Sequence, residues 1–291
     1  MSPIGKFEIE NINARLTILS PENTRNLTNV DPKKQAISGA TQQKIHQIFL
    51  ERAAKKELRW CLTQYPTNAA AQDAEMSLEE YENFVFKAVH VEAKDPIGYW
   101  KKMYTSQERI RSLLETKKTL HVVARDTDLT VSVAGRKWIN CHGKENFPDG
   151  EVFTGPREKS AEGHIRYSFP ASHGGREVED IRLWFQKGKV VKAKASKGEK
   201  FLNSMLDMDA GSRRIGEFSF GTNYGIKKYT KNTLFDEKIG GTIHLAVGSG
   251  YPETGSTNKS GLHWDMMCDL QKDGEVYADG ELIYKNGKFL R

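Results

Sequence analysis

The sequence predicts an α+β (mixed α/β) protein, with a helix-rich N-terminal α/β part over residues 1–115 and a strand-rich part over 116–291 that carries the chemistry. Three observations support this division. Before Thr119 apolar residues recur at helical spacing, whereas after it they alternate with polar ones in short runs. Glycine turns close many of those runs. A chain of 291 residues can also bury a large core and divide into about two domains. No internal repeat or low-complexity linker marks the division, so the boundary near residue 115 rests on the change of period alone.

Taken in order, residues 14–19 alternate as a strand, residues 42–56 have helical apolar spacing, and residues 58–62 read as a strand. Ser77-Leu78-Glu79-Glu80 is a capping box, in which serine and glutamate side chains satisfy each other's free amides at a helix start. Asp95-Pro96 opens another amphipathic helix running toward Leu114, with proline where its missing N–H costs nothing. Strands follow at 120–124, 129–133, 164–169, 181–185 and 190–195, and residues 199–206 are the main helical interruption. Asp279-Gly280 and Asn286-Gly287 are tight-turn signals around 281–285, so the chain ends in a small antiparallel ribbon.

Composition narrows the function. A hydrophobic share of 37%, a charged share of 28% and a mean hydropathy of −0.63 describe a soluble globular chain. No apolar run approaches the ~20 residues of a membrane helix. The start, Met1-Ser2-Pro3-Ile4-Gly5-Lys6-Phe7, has no apolar signal core, so the expected address is the cytoplasm and no membrane partner is expected. Cys61, Cys141 and Cys268 are odd in number and far apart, which argues against a disulfide framework or a thiolate zinc knuckle; Met266-Met267-Cys268 reads as core. Net charge of +6 raises an acidic partner such as RNA. However, the lysines of 187–200 fall on the outward side of a strand without interleaved aromatics to stack bases, which favours a solvated face over a nucleic-acid groove.

The richest chemistry lies in Gly241-Thr242-Ile243-His244-Leu245-Ala246-Val247-Gly248-Ser249-Gly250-Tyr251 and in His263-Trp264-Asp265. Alternation in 242–247 sends His244 to one face and its neighbours Ile243 and Leu245 to the core. His263 and Asp265, two apart, share a side in an extended chain. Imidazole nitrogen and carboxylate oxygen are ligands that Zn, Co or Mn take, which is the chemistry of a metal-dependent hydrolase. Glu151 and Glu217 each begin an apolar strand-like run just after a glycine. A carboxylate entering a core there must be paired, protonated or bound to a cation.

Competing motifs are weaker. Gly248-Ser249-Gly250 lacks the third glycine of a dinucleotide loop and the Gly-Lys-Ser/Thr of a P-loop, so it reads as a turn that frees Tyr251. Ser260 has no nucleophile elbow around it. His142 and His173 fall in loops expected to be solvated, and His46, His90 and His121 sit in ordinary helix or strand patterns.

Leu58-Arg59-Trp60 with Tyr65-Pro66-Thr67, Met76 to Glu82, Gly135 to Asn140, Phe147 to Pro156, Gly221 to Ile226 and Asp236 to His244 occur in an order that resembles the thermophilic-type metallo-aminopeptidases, aminopeptidases T and S. The resemblance spans nearly the whole chain. It implies that Glu151, Glu217, His244, His263 and Asp265 hold two divalent ions (Zn, Co, Mn or Mg), with Tyr251 beside them. It also implies peptide substrates, release of single N-terminal residues and a homodimer, while the solvated lysine face leaves no nucleic-acid partner expected. Two adjacent cations lower the pKa of a shared water. In this reading Glu217 bridges the ions, Glu151 is the first candidate for moving the proton, and Tyr251 donates a hydrogen bond to the oxyanion or touches metal. The family's extra α/β segment ahead of the region matching Phe7 to Val30 is not present in this sequence. The alternatives are an inactive peptide-binding or scaffolding remnant of that family and an RNA-associated basic protein.

Overall fold

The computed structural model describes residues 3–31, 34, 45, 48–49, 51–53 and 55–290. Of the fifteen residues of the expected 42–56 helix, seven, His46 among them, lie outside the described residues. Elsewhere the periodic signals became the expected elements. The capping box at Ser77 is formed, with Glu80 N donating to Ser77 Oγ at 3.1 Å and Ser77 N to Glu80 Oε2 at 2.8 Å, and it starts the helix Leu78–Ala88. Asp95 caps the helix Pro96–Glu115 by accepting from Gly98 N at 2.8 Å.

Ala14–Leu19, Arg59–Gln64 and Asn146–Phe147 form a parallel three-stranded sheet, with the first of these at its edge. That strand is exposed along most of its length, and Leu16 and Ile18 are 67% and 55% exposed. The helices Asn68–Asp73 and Leu78–Ala88 bury Ala71, Tyr81 and Val85 against Ile226, Leu234, Phe235 and Ile239, so a second, smaller core joins early and late parts of the chain.

The remainder is antiparallel. An eight-stranded sheet runs Lys189–Lys194, Ile181–Gln186, Glu162–Tyr167, Thr127–Ser132, Thr119–Ala124, Glu275–Ala278, Glu281–Lys285, Lys288–Phe289. The C-terminal ribbon is its last part. Asp279, Gly280, Asn286 and Gly287 all take positive φ, as two-residue primed turns require. A five-stranded sheet runs His263–Asp269, Thr242–Gly248, Ile215–Gly221, Glu151–Thr154, Ile139–Cys141. Side chains from both sheets, including Leu120, Val131, Ile165, Leu183, Phe218, Leu245 and Trp264, share the main core.

Two expectations need amendment. The lysine-rich strand does meet an aromatic: Lys192 Nζ lies 4.4 Å from the ring centre of Trp184, supplied by the neighbouring strand, which a one-strand pattern cannot reveal. The surrounding basic groups are also compensated, Lys194 by Glu199 and Lys197 by Glu177 and Glu179. His173 and His142 are half-buried rather than solvated. His173 packs on Trp264 with ring centres 5.3 Å apart, and His142 on Tyr104 at 4.6 Å.

Candidate metal centre

The five-stranded sheet has two chemically different faces, and the two-residue strand period creates them. Ile243, Leu245 and Val247 enter the main core together with Phe218, Phe220, Trp264, Met266 and Val152. The alternate positions carry His244, Glu217, Ser219, Glu151, His263 and Asp265. Register brings them into one place: Ser219 pairs with His244, Glu217 with Ala246, Ala246 with Asp265, and Gly221 with Glu151. An irregularity between Ile215 and Glu217 leaves Gly216 as an extra residue there. A side chain on Gly216 would collide with the backbone oxygen of Ser249 at 2.2 Å.

The resulting contacts form two triads that share one carboxylate. His244 Nε2 lies 3.3 Å from Glu151 Oε2 and 3.4 Å from Glu217 Oε1. His263 Nε2 lies 3.4 Å from Glu217 Oε2 and 3.5 Å from Asp265 Oδ1. Candidate ligand atoms of Glu151, Glu217 and His244 stand within 4.8 Å of one another, as do those of Glu217, His263 and Asp265. Thus the five residues chosen from sequence converge on one spot. Tyr251 stands beside them, its ring 5.3 Å from that of His263 and 5.2 Å from that of Phe153, and it is 38% exposed.

Both imidazoles are oriented from behind. His244 Nδ1 lies 3.0 Å from the Glu237 carbonyl oxygen, and His263 Nδ1 lies 2.8 Å from that of Ser249. A carbonyl only accepts, so each Nδ1 donates and each Nε2 is the atom presented to the cluster. Among the described residues, His244 Nε2 and Asp265 Oδ1 are buried without a hydrogen-bond partner. Buried polar atoms left in this state are costly unless a cation or water meets them. The donor set, two imidazoles and three carboxylates, therefore fits divalent-metal binding.

Electrostatics agree with such a role. Burial alone would lower the His244 pKa, but contact with Glu217 and the charges of Glu151, Glu217 and Asp265 raise it to about 9. His263 is likewise raised against burial, chiefly by Asp265 and then by Glu217. Burial works to raise Glu217 and Asp265, yet the histidines hold both below the usual carboxylate range. Proton and cation thus compete for the same Nε2 atoms. The Tyr251 phenol is pushed well up by burial and by the carboxylates of Glu217, Asp265, Glu237 and Glu151, so it remains a donor at neutral pH.

Two functional candidates escaped the sequence. Glu237 has a carboxylate oxygen within 4.8 Å of the candidate atoms of His244 and Asp265. Burial raises its pKa to about 8. Lys238, fully buried, places Nζ 2.6 Å from Glu151 Oε1, in contact with Glu237 Oε1 and 4.0 Å from Asp149 Oδ1. In sequence Asp236-Glu237-Lys238 looks like a solvated charge run, since such residues are almost never fully buried unless paired. The one available signal was the Gly240-Gly241 turn that follows, next to the His244 strand. The short helix Thr233–Asp236 positions the pair, and Asp236 Oδ1 holds it in place by accepting from Thr230 N at 2.7 Å and Oγ1 at 2.9 Å.

Supports reach the site from the helical region. Gln107 Nε2 donates to the carbonyls of Cys141 and Glu151, both at 2.9 Å, and to Thr222 Oγ1 at 3.0 Å. Asn223 Nδ2 donates to the carbonyls of Ala88 at 3.0 Å and Asp149 at 2.9 Å. Gly150 must be glycine: φ is 126° and a Cβ would lie 2.7 Å from that of Asn223.

Among known proteins, the chain is 32% identical over 266 residues to Aminopeptidase AmpS of Bacillus subtilis, covering 79% of this chain and 63% of that one. It is 30% identical over 319 residues to Aminopeptidase 2 of Geobacillus stearothermophilus, covering 95% and 76%. The chain therefore spans 63% and 76% of the lengths of these two relatives. Wild-type AmpT from Thermus thermophilus superposes with a TM-score of 0.85 at 25% identity, over 99% of this chain and 79% of that structure. A 2,5-dihydroxypyridine dioxygenase from Pseudomonas putida shares the fold alone, with a TM-score of 0.59 at 14% identity. Residues 5–289 match the model of the thermophilic metalloprotease (M29) family, and the chain belongs to that family.

Proposed function

We propose that this protein is a metal-dependent aminopeptidase that hydrolyses the N-terminal peptide bond of peptides at a two-cation centre held by Glu151, Glu217, His244, His263 and Asp265. The observation that carries the reading is the Glu217 carboxylate, stretched between two imidazole Nε2 atoms, each of which has its own acidic partner. The aminopeptidase names of the relatives support the substrate class.

Two divalent ions, when bound, supply Lewis acidity that polarises a carbonyl and lowers the pKa of a shared water. The chain's own residues do the rest. Glu217, with one oxygen facing each histidine, would offer one oxygen to each half of the centre. Glu237 and Ser249, through their carbonyls, keep His244 and His263 facing inward. Tyr251 keeps its proton and donates to the oxygen that gains charge as the scissile carbonyl becomes tetrahedral.

A carboxylate must take the proton lost by water and pass it to the leaving amine. Glu151 is one candidate, although its oxygens already accept from Lys238 at 2.6 Å and Ser219 Oγ at 2.8 Å. Glu237 is the second candidate, with a pKa of about 8 that suits proton exchange near neutrality. The reading extends to a homodimer working in the cytoplasm, which light scattering and fractionation address.

The deciding experiment is elemental analysis of purified protein beside an aminoacyl-amide hydrolysis assay. Two divalent ions per chain and hydrolysis that stops on chelation and returns with Zn, Co or Mn are expected. Full activity after metal removal confirmed by the same analysis would overturn the reading.

A further inference from the structure

The two triads differ in one respect. Glu151 divides its oxygens: Oε1 lies 2.6 Å from Lys238 Nζ, while Oε2 faces His244 Nε2 at 3.3 Å and accepts from Ser219 Oγ at 2.8 Å. The Lys238 side chain is 0% exposed, so its charge is permanently part of the site wall. Among the described residues the ion pairs of Glu217 and Asp265 are with histidines only, and no lysine or arginine contacts the second triad. Glu237 reinforces the asymmetry. Its side chain contacts Lys238 and its carbonyl accepts from His244 Nδ1 at 3.0 Å, so one dipeptide fixes both private members of the first triad.

A buried ammonium acts on a neighbouring cation in two ways. It occupies a carboxylate oxygen that would otherwise ligate, and it repels a like charge where water does not screen it. We propose that Lys238 is a positioning residue that restricts Glu151 to one-oxygen ligation and makes the Glu151–Glu217–His244 half-site the weaker of the two for divalent cations. This rests on the two-cation reading. The second half-site, Glu217–His263–Asp265, loads first and the first half-site fills last.

Titration of Co2+ into metal-stripped protein, followed by calorimetry and by the visible absorption of bound Co2+, tests it. Wild type should take up two ions in two resolved steps. Lys238→Met, similar in length and without charge, should tighten the weaker step by about tenfold or more and leave the tighter step unchanged. Lys238→Arg should keep the wild-type pattern. Should Lys238→Met not fold, the double variant Glu237→Gln/Lys238→Met removes the pair together, leaves neither member uncompensated, and should tighten the same step by a smaller factor. The direction separates this role from a scaffold role, because a damaged scaffold binds metal more weakly. An unchanged or weakened second step in folded variants overturns the proposal and leaves the two-cation reading standing. Uptake of fewer than two ions by wild type overturns that reading and the proposal together.

Discussion

Glu217 Oε2 lies 3.4 Å from His263 Nε2, while the other oxygen of the same carboxylate meets His244 at the same distance. One side chain therefore serves both halves of the centre, and its loss should be felt in both. Glu217→Gln is expected to lower the content of both ions, whereas His263→Ala should lower that of one. Losing several kcal/mol of transition-state stabilisation corresponds to ~10²–10⁴ in kcat. Metal content and single-substrate kinetics on folded variants check this, and retained turnover at unchanged stoichiometry would show that neither residue is a ligand.

Tyr251→Phe should behave differently. Burial and the surrounding carboxylates keep the phenol protonated beside the cluster, so its removal takes away a donor and leaves the five ligands in place. Ion content should stay at the wild-type value while kcat falls by roughly 10²–10³. Loss of an ion instead would mean that Tyr251 ligates.

The pH dependence follows from His244. Its pKa is raised from 6.5 to about 9 in the folded chain, so the stability it contributes without cations is fully present below pH 6.5 and is lost as pH rises through about 9. Metal-stripped protein should therefore melt at progressively lower temperature across that window. Cation binding must displace the Nε2 proton, so affinity should rise with pH over the same range, with proton release measurable by calorimetry in buffers of different ionisation enthalpy. Affinity that is flat between pH 6.5 and 9 would count against His244 as a ligand.

Gln107 is 0% exposed and its amide serves three acceptors from the helix Pro96–Glu115. Gln107→Leu fills similar space but leaves two buried carbonyls and a hydroxyl without their donor. We expect a loss of about 1–3 kcal/mol in denaturant unfolding. A change within a few tenths would show that those acceptors find other partners.

Among the described residues the Ala14–Leu19 strand is the edge of its sheet, with the side chains of Leu16 and Ile18 exposed. Such edges promote association. Leu16→Lys with Ile18→Thr should reduce concentration-dependent scattering without altering ion content, and unchanged scattering would place the association surface elsewhere.

The candidate residues could be picked out locally, but their grouping as one ligand set came from the family resemblance. His244 stood out by alternation, His263 and Asp265 by their spacing of two, and Glu151 and Glu217 by following glycines into apolar runs. The helices at 199–206 and 96–115 were equally local. Lys238, Gln107 and Asn223 were not legible, because their roles come from long-range pairing: each reaches a partner at least 34 residues away. The identity of strand neighbours had the same limit, which is why Trp184 beneath Lys192 went unseen.

All seven residues of the Thr242–Gly248 strand are buried, four on the face of the candidate metal site and three on that of the core. A systematic substitution library of this strand should therefore separate into two interleaved classes with a period of two. Changes at Ile243, Leu245 and Val247 would be eliminated by selection for soluble protein, whatever the assay for turnover. His244 would tolerate polar replacements under that selection and none under selection for hydrolysis. The strand therefore leaves little room for its sequence to wander without one penalty or the other, which closes it to gradual repurposing.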